Sequence, residues 1–193
     1  MRRLVVLTLL ALALPIAAAA SSVDISNIGG TLTGSSSGLS LTNSTLIHVG
    51  GIVGSNLGTL SFTTGAFTSG DIMNGGALAA GGTFTITGNG NGGVPNGVIF
   101  SGTFSGPVTW TLITLADGTH NYTLQGAISG GGNVGATVQV TINTGKGFFT
   151  GSSSIASGDT NINVVVPEPG TLGLLGTGLV GVAGVLRRKR SEK

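Results

Sequence analysis

From Val23 onward the chain alternates apolar and polar residues. VDISNI places Val23 and Ile25 on one face, GLSLT does the same with Leu39 and Leu41, and TLSFT with Leu60 and Phe62. TFTIT pairs Phe84 with Ile86, and GVIFSGTF carries Val98, Phe100 and Phe104. PVTWTLITL carries Val108, Trp110 and Leu112; HNYTLQGAI carries Tyr122, Leu124 and Ile128; TVQVTI aligns Val138, Val140 and Ile142; NINVVV closes the set. A period of two belongs to extended strands, whose successive side chains point to opposite faces. Gly- and Asn-rich connectors, GNGNGG from Gly88 to Gly93 and SGGGN from Ser129 to Asn133, separate the runs. No sustained helical period occurs between the two ends. About nine or ten short strands of this kind predict an all-β domain, a single antiparallel β-sandwich of jelly-roll or Ig-like form. A β-barrel or β-solenoid is the alternative, and the lack of a fixed-length repeat counts against the solenoid.

One turn is specific enough to carry a register. In LADGTH, Asp117-Gly118 lies between two strand-like runs, and a type I′ turn needs φ > 0 at both central residues, a requirement that Asp-Gly suits. A two-residue loop pairs Leu115 with His120 and Ile113 with Tyr122, and sets Trp110 opposite Gln125.

Composition changes the picture twice. Of 193 residues, 37 are Gly, none is Cys and only 7% are charged. Such a chain invites a disordered reading, because Gly- and Ser-rich segments bury too little apolar surface to offset their conformational entropy. The recurrent Val, Ile, Leu and Phe alternating with β-branched Thr favour a folded domain instead. The formal charge of +2 misleads, because Arg2, Arg3, Arg187, Arg188, Lys189, Arg190 and Lys193 all sit at the ends. Between them Lys146 faces Asp24, Asp71, Asp117 and Asp159, one cation against four anions, a net charge of −3. Nucleic-acid binding requires clustered Lys and Arg, so that function is set aside. The absence of Cys removes disulfides, thiol catalysis and thiolate metal sites.

The ends read as sorting signals. Arg2 and Arg3 precede an apolar run from Leu4 to Leu14, Pro15 breaks it, and Ala17 to Ala20 supply small residues before Ser21. This is the pattern of a secretory signal peptide, residues 1–20, with cleavage expected after Ala20. It bounds an exported β domain over 21–165. The run from Gly170 to Leu186 has no charge and sits near the lower length limit of about 17 residues for a membrane helix. Its glycines disfavour a soluble helix but are common in membrane helices. Arg187, Arg188, Lys189 and Arg190 follow at once and, by the positive-inside rule, form a cytoplasmic anchor.

Directly before this span stands Pro167-Glu168-Pro169. Motif, apolar span and basic cluster over 166–193, with a signal peptide in front, resemble the PEP-CTERM family of exported bacterial proteins. The resemblance implies processing by an exosortase, a membrane enzyme with a Cys nucleophile, which reads Pro167, Glu168 and Pro169 and cuts nearby. It implies transient anchoring by the C-terminal helix, then delivery to the cell surface or extracellular matrix, and a setting of exopolysaccharide and biofilm. It carries no information about the fold or activity of the middle. Two prolines fix φ and exclude helix, so the motif itself is a stiff extended segment.

The middle offers little chemistry. His48 and His120 are its two imidazoles, and three of its four Asp residues lie in Gly turns, where Asp and Gly serve the backbone. A glycosidase needs two carboxyls about 5–10 Å apart. His120, Asp117 and a Ser would make a hydrolytic triad, but no GxSxG elbow accompanies them. Asp159, Asn161 and Asn163 share the i, i+2, i+4 spacing of a calcium loop without its Gly or terminal Glu. Asn43 and Asn121 open N-x-[ST] sequons. No catalytic residue, metal site or cofactor is expected. The primary expectation is a structural or interaction protein of the surface or matrix. The alternative is a carbohydrate-binding module or weak glycan hydrolase at the cell envelope. Burial of Trp110 and Tyr122 weakens the carbohydrate-binding reading, and exposure of either in a groove near Asp117 or His120 strengthens it.

Overall fold

The computed structural model describes residues 21–131 and 134–164. The signal peptide, the sorting motif Pro167-Glu168-Pro169, the apolar span 170–186 and Arg187, Arg188, Lys189 and Arg190 lie outside the described residues.

Fourteen strands follow one another: β1 (Ser21–Ile28), β2 (Thr31–Ser35), β3 (Gly38–Val49), β4 (Ile52–Val53), β5 (Gly58–Thr63), β6 (Phe67–Asp71), β7 (Gly75–Leu78) and β8 (Gly81–Asn89). After a short 3₁₀ turn at Asn91–Gly93 come β9 (Asn96–Phe104), β10 (Val108–Thr114), β11 (His120–Gly130), β12 (Val134–Asn143), β13 (Ser152–Ser154) and β14 (Ser157–Val164). Several are halves of one lane. β1 and β2 both run along β3, interrupted at Gly29 and Gly30, and β9 and β10 both run along β11, interrupted at Ser105-Gly106-Pro107. β7 pairs with β10 as β8 pairs with β9, and β13 pairs with β2 as β14 pairs with β1.

The ring β1-β3-β5-β8-β9-β11-β12-β14 is antiparallel throughout and returns to β1. The all-β expectation stands, but the sandwich is corrected to its alternative, a closed eight-stranded barrel. A sandwich keeps two sheets with open edges. Here Val23 lies opposite Ile162, and Ala136 lies opposite Ile162 from the other side, so β14 joins first and penultimate lanes. Period-two patterning is the same in both architectures; only the pairing of distant strands separates them.

The barrel is filled, as an eight-stranded barrel's bore is just wide enough for side chains. Phe62, Phe84 and Phe104 meet inside with ring centroids 5.9 to 6.2 Å apart. Inward glycines make room for them: a Cβ on Gly126 would lie 2.8 Å from the Phe104 ring, and one on Gly130 2.8 Å from Phe100. Leu32, Leu41, Leu60, Ile86, Leu124 and Ile142 are fully buried in the same core. Each buried side chain of this size contributes about 1.5–3 kcal/mol relative to exposure. Outward positions carry Thr59, Ser61 and Thr63 on β5 opposite Thr87, Thr85 and Thr83 on β8. A membrane-spanning barrel reverses this arrangement, with an apolar outer band and a polar lumen.

The Asp-Gly hairpin is also corrected. Thr114 pairs with His120 and Leu112 with Tyr122, one residue out of the expected register. Gly118 has φ +80 whereas Asp117 is not among the positive-φ residues, so the type I′ requirement is unmet. Leu115 N donates to Thr119 O, enclosing a three-residue loop with Gly in the left-handed region. The one-residue shift sets Trp110 opposite Leu124 and turns both inward.

Candidate functional site

A concavity with a volume near 540 Å³ lies on the outer wall of β1, β14, β12 and β11. Its floor is built by register. Ser26 opposes Asp159, Asp159 opposes Gln139, and Gln139 opposes Gln125, one polar row across four strands. A second row sets Asp24 against Asn161 and Asn161 against Thr137. These are outward positions because Ile25, Thr160 and Val138, their neighbours in sequence, point into the core. The inner face decides the register, and the register assembles the groove.

Hydrogen bonds tie the rows together. Ser26 Oγ donates to Asp159 Oδ1 at 2.8 Å, and Gln125 Nε2 donates to Gln139 Oε1 at 3.0 Å. Asn161 Nδ2 donates to Asp24 Oδ1. Each carboxylate thus keeps a second oxygen toward solvent. Asp24 and Asp159 are diagonal neighbours, about 7–8 Å apart by strand geometry. That separation lies in the range a paired-carboxylate hydrolase uses. A general acid, however, is made by burying one carboxyl among apolar groups, and both of these side chains are exposed acceptors.

Other residues singled out from sequence fall elsewhere. Trp110 and Tyr122 are 1% and 0% exposed, stacked at 5.0 Å. Trp110 Nε1 donates to Ile72 O at 2.9 Å and Tyr122 Oη to Met73 O at 2.6 Å, so both rings hold the β6–β7 turn over one rim. They are structural, and sugar stacking on them is removed. His120 stacks on Phe148 with centroids 4.3 Å apart, and its Nδ1 lies 3.2 Å from Gly147 O. Asp117 accepts from Thr119 N at 2.9 Å, so these two do not form a triad. His48 Nε2 accepts from Gly51 N at 3.1 Å. Asp159, Asn161 and Asn163 lie along extended β14, a straight line that does not wrap a cation. Among the described residues no group of three His, Cys, Asp or Glu side chains is placed to hold a metal. Asn43 stands at the β3 bulge with φ +56, and Asn121 accepts from Asn143 Nδ2 at 2.8 Å.

Sequence reasoning missed Asp24, Ser26, Gln125, Thr137 and Gln139 as one constellation. They come from three separate segments, and only the barrel register joins them.

Residues 165–190 match the family model of the PEP-CTERM protein-sorting motif. No curated protein and no solved structure matches the chain. The C-terminal tail therefore carries a PEP-CTERM sorting signal. The chain is an exported, envelope-associated protein addressed to an exosortase, and its barrel is the cargo of that signal.

Proposed function

We propose that the barrel is a carbohydrate-binding module held at the cell envelope, with the groove on β1, β14, β12 and β11 as its ligand face. The observation that carries this reading is the polar floor of a concave wall. Gln125, Gln139 and Asn161 each offer an amide donor and acceptor, and Asp24 and Asp159 offer acceptor oxygens. A sugar hydroxyl both donates and accepts, so mixed amide and carboxylate rows match adjacent hydroxyls along a glycan. The volume falls in the range of ligand sites, about 300–1,000 Å³. Recognition proceeds through hydrogen bonds, since Trp110 and Tyr122 are buried. The module binds without cleaving, because neither carboxyl occupies the apolar setting of a general acid.

The test is retention of exported protein on exopolysaccharide from the producing cells. Gln125→Ala with Gln139→Ala is expected to weaken retention at least ten-fold with an unchanged melting temperature, both side chains being outward. Unchanged retention would sink the proposal. A second reading, a structural component of surface matrix or biofilm, draws on the opposite wall. There Thr59, Ser61, Thr63, Thr83, Thr85 and Thr87 form a hydroxyl field without a charged side chain. It gains if the glutamine variants still enter the matrix as wild type does.

A further inference from the structure

We infer that the ligand of this groove is cationic: a glycan carrying free amino groups. The inference rests on the groove being a glycan face and adds the charge class of the sugar. Asp24 and Asp159 bring two negative charges onto one concave wall. Their cross-strand partners are Asn161, Ser26 and Gln139, all neutral. The one Lys or Arg between Ser21 and Val164 is Lys146, in the connection after β12 and outside the groove. Among the described residues neither carboxylate therefore has a basic partner, and none supplies a countercharge to the groove.

A cleft lined by one sign of charge focuses its field and concentrates ligands of the opposite sign. The wall ties Ser26 Oγ to Asp159, one N–H of Asn161 to Asp24 and one N–H of Gln125 to Gln139, and leaves the remaining amide N–H groups for sugar hydroxyls. What the wall leaves open to a charged ligand is the acceptor capacity of the second oxygens of Asp24 and Asp159. An ammonium group on a sugar has three donors and no acceptor, the complement of such a surface. A uronic acid brings a third carboxylate to the groove, and an N-acetylated sugar fills the space without the charge. Two carboxylates about 7–8 Å apart suit successive positions on a chain better than one small cation.

The experiment measures binding of the full exported chain, extracted in mild detergent, to three immobilised polymers of matched length. They are polyglucosamine, its fully N-acetylated form, and a polyuronate. Polyglucosamine is expected to bind at least ten-fold tighter than the N-acetylated chain at low salt, with polyuronate excluded. The advantage should shrink as salt screens the charges. Asp24→Asn with Asp159→Asn should remove the preference while leaving weak binding to both neutral and amino polymers. Asp71→Asn, outside the groove, should leave the preference for the amino polymer unchanged. Equal binding of the amino and acetylated polymers, or an equal loss on Asp71→Asn, would overturn the charge assignment and leave the glycan reading in place. Binding to none of the three by wild type overturns both.

Discussion

Asp71 shows how a single carboxylate serves the backbone here. Its Oδ1 accepts from Met73 N at 2.8 Å and from Asn74 N at 2.7 Å, and Asn74 Nδ2 reaches Oδ2 at 2.8 Å. The hydrogen bond from the Asn74 side chain, then that from its backbone, holds the carboxyl below its ordinary value of 3.8. A lowered folded value means that ionised Asp71 favours the folded state. The contribution is complete above 3.8 and is lost as pH falls through the lowered value. Asp71→Ala should therefore melt below wild type at neutral pH, with the gap closing as pH is taken below 3.8. A gap that persists in acid would show that Asp71 acts through packing rather than charge. The turn it caps presents the Ile72 and Met73 carbonyls to Trp110 and Tyr122, so a surface Asp also positions the rim over the core.

At the scale of the element, alternation made Phe62, Phe84, Phe104 and Leu124 legible as inward positions, but Val98, expected on the face of Phe100, is exposed because the β8–β9 register shifts between Ile86 and Thr87. What alternation left out was the inward residue that is not apolar. Gly126 occupies an inward position of β11 between Leu124 and Ile128, and the Phe104 ring fills the space its side chain would take. Small and large residues alternate inside small barrels for this reason. Gly126→Val should cost about 1–3 kcal/mol by overpacking, measured by denaturant unfolding, whereas Ala127→Val on the outer face should cost little. Equal effects would mean that Phe104 gives way freely. The Asp117-Gly118 turn teaches the complementary lesson. Asp-Gly suits more than one hairpin loop, and the choice fell to the register that buries Trp110, Tyr122 and Leu124 together. Tertiary burial outweighed local turn chemistry, and the groove, built from the same registers, was illegible for the same reason.

At the scale of the molecule, closure depends on the last lane. β14 pairs with β1 along one edge and with β12 along the other, so both edges stay open until residues 157–164 are in place. Open edges with free backbone groups invite aggregation. Val164 pairs with Ser21, and three residues later in sequence stands Pro167. The sorting motif thus follows closely in sequence on β14, the segment that completes the fold. Sorting and folding should separate cleanly by mutation. Pro167→Ala, Glu168→Ala and Pro169→Ala together should leave the barrel's melting temperature unchanged while blocking removal of the tail. Intact mass and fractionation of exported protein read the second effect. Wild type should lose the tail and leave the inner membrane, and the triple variant should keep residues 170–193 and remain there. If wild type also keeps them, the motif is not cut in this protein, and the barrel works as a permanently tethered module whose ligand must reach it at the membrane.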